Sequence, residues 1–274
     1  MSSVRGKVAV VTGAGSGIGR ALALGLAQRG ARLALCDVDP VGLGETAEMV
    51  GTPVHTERVD VSDRAAVAAY ATAVAGHYGV VHQLYNNAGV GALARPLAET
   101  DYATFERLID INLWGVIHGT KEFLPHLIAS GDGHVVTLSS LNGILAQPNM
   151  TAYCTTKFAV RGFTESLRAE LLLHRHPVAV TVVHPGGVRT NIRNAVIART
   201  GPLDPEAARR NEVYESRLFR TTPDEAARQI LTGVERGKGR VLIGQAHRVD
   251  RIVRLLPALY PRVVARWERR TFSG

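Results

Sequence analysis

Tyr153 and Lys157 stand four residues apart in the segment Tyr-Cys-Thr-Thr-Lys. In a helix that spacing puts both side chains on one face, one turn apart. A free phenol titrates at about 10, too high for an efficient base near neutral pH. An adjacent ammonium favours the phenolate. Such a pair can take the proton of an alcohol, or return one to the oxygen of a ketone. Ser140 lies 13 residues before the tyrosine, just past the apolar run His134–Leu138. Its hydroxyl can position a reacting oxygen and stabilise charge on it; capping the end of a strand is the other use of a serine there.

A second cluster concerns phosphate. Lys7–Thr12 reads as a strand and runs into Thr12-Gly13-Ala14-Gly15-Ser16-Gly17-Ile18-Gly19, which opens an Ala/Leu-rich helix. Glycines in that context let backbone approach a pyrophosphate, and the helix N-terminus supplies N–H donors. Asp37 ends the next strand, 20 residues after Gly17. That is the place for a carboxylate accepting from both ribose hydroxyls of an adenosine, where a 2′-phosphate would meet like charge. No basic residue follows, since Val38 comes next, and Ser16 stands where a phosphate-binding cation could have been. NAD is therefore favoured over NADP, with Arg20 on the following helix as the counterweight. Asp60-Val61 follows the third strand. The carboxylate can bond an adenine amino group while Val61 packs the ring, or Asp60 is a helix cap.

Together these motifs resemble the short-chain dehydrogenase/reductase family. The matching residues are Thr12-Gly13-x-x-x-Gly17-x-Gly19, Asn86-Asn87-Ala88-Gly89, Asn112, Ser140, Tyr153-x-x-x-Lys157 and Pro185-Gly186, with Val188 and Thr190 beyond, over about residues 5–245. The resemblance implies a nicotinamide-dependent oxidoreductase acting on an alcohol or ketone. Oxidised nicotinamide would further favour the Tyr153 phenolate. Lys157 would also bind the nicotinamide ribose, and Asn112 would hold a water relaying protons from Lys157. Asn87-Ala88-Gly89 would let the chain pass close to the adenosine ribose, a role as much structural as functional. Thr190 would bond the nicotinamide amide, or serve only as a turn residue. A family dimer surface would fall on the helices 104–130 and 151–175.

The elements that must carry these residues alternate. Strands are expected at Arg32–Cys36, Val54–Val59, Val80–Tyr85, His134–Leu138, Val178–Val183 and Arg240–Ile243 besides the first. Helices are expected at Gly17–Arg29, from about Pro40, at Asp63–His77, Thr104–Ser130, Thr151–His174 and Pro223–Arg236. Near-continuous apolar strands alternating with helices predict an α/β fold: a single-domain, doubly wound, Rossmann-like parallel sheet of about seven strands with helices on both faces. The polar segment 189–222 breaks the rhythm and reads as a lid or irregular helical excursion. A pocket wall is expected from Leu93, Leu141, Ile144, Leu145, Val188, Ile192 and Val196. Its apolar character points to an uncharged secondary alcohol or ketone, although Arg189 and Arg193 in the lid keep an acidic substrate open.

The 274 residues carry a net charge of +8, of which +5 lies in residues 248–274, where seven arginines face Asp250 and Glu268. Residues 1–247 are thus the expected oxidoreductase domain, and 248–274 a basic amphipathic extension broken by Pro257 and Pro261. The arm is expected to pack on its own body or on a partner subunit; contact with a membrane surface is the alternative. No nucleic-acid motif accompanies the charge. Two cysteines, Cys36 and Cys154, make neither a disulfide framework nor a metal site. The short run Val8–Val11 is no signal segment, so a cytoplasmic enzyme, homodimeric or homotetrameric, is expected. A competing function is a non-catalytic NAD-binding regulator, or a protein docked by its tail to a membrane or partner; an intact Ser140, Tyr153, Lys157 set argues against it.

Overall fold

In the computed structural model, which describes residues 3–190, 192–200, 208–209 and 219–272, seven strands form one sheet. They are β1 Val8–Thr12, β2 Arg32–Asp37, β3 Val54–Arg58, β4 Gln83–Asn86, β5 Gly133–Leu138, β6 Val178–Gly186 and β7 Arg240–Gly244. Their order is β3-β2-β1-β4-β5-β6-β7, and every pair is parallel. Parallel neighbours need crossovers, which the helices provide. These are α1 Gly17–Gln28, α2 Pro40–Val50, α3 Arg64–Tyr78, α4 Tyr102–Ile109, α5 Gly115–Ala129 and α6 Thr151–Leu173. Beyond them lie α7 Ile192–Thr200, α8 Pro223–Glu235, α9 Ala246–Leu255 and α10 Tyr260–Phe272. None of the described helices is long and apolar enough to cross a membrane.

The sheet is apolar on both faces because both are covered. On one, Ala9 and Val11 meet Leu22 and Leu26 of α1 and Ile230, Leu231 and Val234 of α8. On the other, Val10, Leu84 and Val135 meet Tyr70 and Val74 of α3, Phe123 and Leu127 of α5, and Leu167 and Leu171 of α6. Burying each such side chain stabilises the fold by about 1.5–3 kcal/mol. Helix starts are chemically marked. Asp39 accepts from Val41 with Pro40 in the first turn of α2, Asp63 accepts from Ala65 and Ala66, and Thr222 accepts from Glu225.

Chain order reverses at β1, which lies between β2 and β4. The carboxyl ends of β1 and β4 therefore diverge into a crevice, the usual ligand position in such a sheet. The glycine loop after β1 and the Asn87 loop after β4 form its walls.

Two expectations need correcting. The single helix 104–130 is α4 and α5 joined through a π turn at Asp110–Trp114, an extra residue per turn of the sort that marks functional positions. Gly115 and Gly119 are there for contact: a Cβ at Gly115 would lie 2.7 Å from Val61 Cγ2, and one at Gly119 would overlap Asn86 Oδ1. In the arm, the chain breaks around Pro257, but Pro261 sits in the first turn of α10 and breaks nothing, since a first-turn proline has no N–H to lose. The first helix of the arm, α9, starts at Ala246, which is fully buried. Half of the 189–222 segment lies outside the described residues. Its ends are pinned together: Val188 bridges Thr221, Arg189 N–H donates to Thr221 O (3.0 Å), and Thr221 N–H to Gly187 O (3.2 Å).

Candidate functional site

The crevice is sewn together by one threonine and one asparagine. The Thr12 hydroxyl accepts from the backbone N–H groups of Asn87 (3.1 Å) and Ala88 (3.0 Å). Asn87 Nδ2 returns to Thr12 O (2.9 Å) and Gly13 O (3.0 Å). This close approach requires the glycines. Gly13 has φ +67, and a Cβ there would lie 2.7 Å from Ala88 Cα; a Cβ at Gly19 would overlap the Gly13 carbonyl. Gly17 has φ +54, and Thr190 Cβ would lie 3.5 Å from a Cβ on it, so the 187–190 turn hangs over the start of α1. Ser16 is the N-cap of α1 but its side chain caps nothing, and the first turn has no acidic residue. The N–H groups of Gly17, Ile18 and Gly19 open this helix in a cradle that any side chain would fill, which fits a dinucleotide pyrophosphate.

At the β2 end, Asp37 Oδ2 accepts from Gly15 N–H (2.7 Å) and Oδ1 from Asp39 N–H (2.9 Å). The carboxylate is thus fixed beside the glycine loop. Arg20 is not free to swing to the ribose position. Its guanidinium donates to Gly15 O, Gly42 O (3.1 Å), Glu45 Oε2 (2.7 Å) and Thr46 Oγ1 (3.0 Å). A cation the sequence reading passed over is Arg58, opposite Asp37 in the β2–β3 register and donating to Val38 O (3.2 Å). Asp60 is not the helix cap, since Asp63 holds that position; Asp60 Oδ1 instead accepts from Ser62 N–H (2.9 Å) and Oγ (2.6 Å). Val61 is buried in the α3–α5 cluster under Gly115, whose missing side chain makes room for it.

Ser140, Tyr153, Lys157 and Asn112 meet past the ends of β4 and β5. Ser140 caps a short turn, Leu141–Gly143, accepting from Asn142 N–H (3.1 Å). Its side chain lies close enough to the Tyr153 phenol to lower its pKa. Lys157 Nζ lies 5.7 Å from the Tyr153 ring centroid and donates to Leu138 O (3.1 Å). Asn112, fully buried in the π turn, accepts from Val90 N–H (2.8 Å) and donates to Val90 O (3.0 Å) and Thr156 Oγ1 (3.3 Å). Gly89 keeps the space between Asn112 and Lys157 open, since a Cβ there would sit 3.0 Å from Asn112 Oδ1 and 3.3 Å from Lys157 Nζ.

Burial dominates the electrostatics here. It pushes the Tyr153 phenol up, against the lowering effect of the nearby Ser140 side chain. It pulls Lys157 down to about 8. The expected lowering of the phenol by its neighbouring ammonium does not dominate in the chain alone, because desolvation penalises both charged forms.

Three residues missed in the sequence support this cluster. His184 on β6 donates Nδ1–H to the Ser140 carbonyl (2.9 Å). A carbonyl only accepts, which fixes the donor nitrogen. Burial lowers His184 to about 4, so the ring is neutral. Ser139 Oγ donates to Lys157 O (2.8 Å). Asn142 Nδ2 donates to Gln147 Oε1 (3.2 Å) and meets Cys154 Sγ at 3.4 Å. The only local signal for them was proximity in sequence to Ser140 and Pro185-Gly186.

The pocket wall differs in part from expectation. Leu93 lines a small cleft with Ala92, Thr100, Met150 and Tyr153. Ile144 is only 2% exposed and belongs to the interior, because the turn after Ser140 folds it inward. Leu141, Leu145 and Val188 are half-buried. Gly91 lets α7 come close, with Ile192 Cγ2 2.9 Å and Val196 Cγ2 3.4 Å from where its Cβ would be. Pro185 and Gly186 end β6 beside β7, and Gly186 abuts Ala246. Arg189 Nε donates to Phe219 O (2.8 Å), while the Arg193 side chain lies outside what is described.

Known proteins share this architecture. The family model described as short chain dehydrogenase matches residues 7–200. A protein of Mycobacterium tuberculosis named putative oxidoreductase SadH is 51% identical over 270 residues, 97% of this chain and 96% of that one. Levodione reductase of Leifsonia aquatica is 33% identical, over 81% of this chain and 85% of its own. A short-chain dehydrogenase/reductase from Burkholderia phymatum, solved in complex with NAD, superposes with a TM-score of 0.86 at 31% identity, covering 95% of this chain and 97% of that one. With its sheet order, its glycine cradle and these relatives, the chain belongs to the short-chain dehydrogenase/reductase family of oxidoreductases.

Proposed function

We propose that this oxidoreductase interconverts an apolar secondary alcohol and its ketone, using NAD and Tyr153 as general acid and base. The observation that carries it is Lys157 Nζ 5.7 Å from the Tyr153 ring centroid, with the Ser140 side chain close enough to lower the phenol pKa, at the strand ends next to the glycine cradle. Bound nicotinamide supplies or accepts the hydride. Ser140 holds the substrate oxygen, and His184 and Asn142 hold Ser140. Tyr153 takes the hydroxyl proton in oxidation and donates it in reduction. Lys157 binds the nicotinamide ribose and, when charged, favours the phenolate. Asn112 braces the Val90 segment beside Lys157, where protons pass to solvent. The cofactor contacts are Gly13, Ser16, Gly17, Ile18, Gly19, Asp37, Asp60, Val61, Asn87, Ala88, Gly89, Pro185, Gly186, Val188 and Thr190.

Fixed Asp37 and pinned Arg20 favour NAD, which is the cofactor bound in the Burkholderia phymatum relative. Leu93, Met150, Ile192 and Val196 favour an apolar substrate, and the levodione reductase relative makes cyclic ketones a first panel. Residues 1–247 work as one domain. Exposed Trp114 in the π turn and Phe158, Leu172 and Leu173 on α6 support a homodimer or homotetramer.

The test is fluorescence titration with NADH and NADPH, with Tyr153→Phe assayed for turnover. NADH binding tighter than NADPH, with turnover lost and binding kept in the variant, is the expected result. Tighter NADPH binding overturns the Asp37 argument, and a fully active variant overturns the role of Tyr153.

A further inference from the structure

We propose that α9 and α10 form an interfacial arm that lies on an anionic lipid surface. Their outer side is apolar where a soluble surface would be polar. Ile252 (48%), Leu255 (79%), Leu256 (41%), Leu259 (48%), Val263 (52%) and Trp267 (41%) are all exposed. Leu259, Val263 and Trp267 follow at four-residue steps, so they share one side of α10 and its lead-in turn. Arg262, Arg266 and Arg270 run beside them at the same step. The opposite side is turned to the protein: Tyr260, Val264, Ala265 and Glu268 are half-buried.

The arm's acids are engaged at home. Asp250 is held by Arg240 (2.8 Å) and Arg254 (3.0 Å), and Glu268 accepts from Gln147 Nε2 (3.3 Å). No ion pair to Arg248, Arg251, Arg262 or Arg266 is found among the described residues. The outward face is therefore cationic and apolar together. A second copy of this chain fits it poorly, because a two-fold contact would set arginines against arginines with no free carboxylate between. Nucleic acid would answer the charge and leave the leucines wet. An anionic bilayer answers both: the apolar side chains enter the headgroup boundary, guanidinium groups meet phosphate, and Trp267 sits at the interface. Because Glu268 bonds Gln147, six residues before Tyr153, a docked arm brings the cleft's rim to that surface.

Full-length protein would be floated with vesicles of phosphatidylcholine alone and of phosphatidylcholine mixed with phosphatidylglycerol. Trp114→Phe leaves Trp267 as the single tryptophan reporter. Binding to the anionic vesicles about a hundredfold tighter than to neutral ones is expected, falling with salt, with a blue shift of Trp267. The triple change Arg262→Glu, Arg266→Glu, Arg270→Glu removes that preference while circular dichroism stays unchanged. Leu255→Ser with Val263→Ser, both at exposed positions, should weaken flotation independently of charge. Failure of the wild-type chain to float with anionic vesicles at low salt overturns the proposal. So does equal binding to neutral vesicles, or a Leu255→Ser, Val263→Ser variant that floats normally but loses mass in light scattering, which would give the face to a second copy. None of these readouts depends on turnover or cofactor choice.

Discussion

The glycine cradle and the Ser140–Tyr153–Lys157 cluster occupy ends of neighbouring strands, yet they are built in opposite ways. The cradle is backbone. Thr12, Asn87 and the glycines satisfy one another, and Asp37 and Arg20 are each tied to backbone partners. Almost every group there is at ease in the chain alone. The reactive cluster is side chain and buried: a phenol pushed up, a lysine pulled to about 8, a histidine pulled to about 4. Binding sites can be assembled from relaxed geometry. A proton-transfer site buries its titratable groups, and the cost of charging them there is what shifts their pKa values.

That contrast can be broken most forcefully at Gly19. Gly19→Val puts a branched side chain into the Gly13 carbonyl. Loss of NADH binding together with destabilisation above about 3 kcal/mol is expected, as overpacking against immobile backbone cannot relax. Retained binding in urea-resolved titrations would show the cradle to be looser than its contacts imply.

His184 sharpens the other side. Its folded value, about 4, lies below the ordinary 6.5, so the unfolded chain binds more protons between those values. Stability should be full above pH 6.5 and decline as pH falls toward 4, by about 2–3 kcal/mol from this group. His134, lowered likewise to about 4, adds a decline in the same window. His184→Gln keeps an N–H donor for Ser140 O and should flatten part of the slope in urea denaturation at stepped pH; an unchanged slope would remove His184 from the account.

Lys157→Met should separate the two properties. Burial makes the ammonium costly, so the variant should gain about 1–3 kcal/mol at neutral pH while turnover falls. The gain should vanish as pH rises from about 8, where the folded lysine already sheds its proton. A destabilised variant would mean that the bond to Leu138 O outweighs desolvation.

The smallest change is expected at Asp37. Asp37→Ser should narrow the preference for NADH over NADPH by about tenfold, or about 1.4 kcal/mol, with little effect on stability. An unchanged ratio would shift attention to Arg58.

The sequence by itself determined the strand–helix alternation, the glycine loop, the Tyr-x-x-x-Lys pair and the position of Asp37. All depend on near neighbours: periodicity, a motif a few residues long, a spacing set by one βαβ unit. Even element ends agree closely where a cap or glycine marks them, as at Asp39, Asp63 and Gly79. Only the tertiary structure decided how groups distant in the chain share space. It took Ile144 into the interior and put a π turn around Asn112. It pinned Arg20 under α2, set His184 behind Ser140, and turned the leucines of the arm outward. Each of these outcomes depends on which surface packs against which, and on the burial that follows, and neither is written in any short stretch of chain.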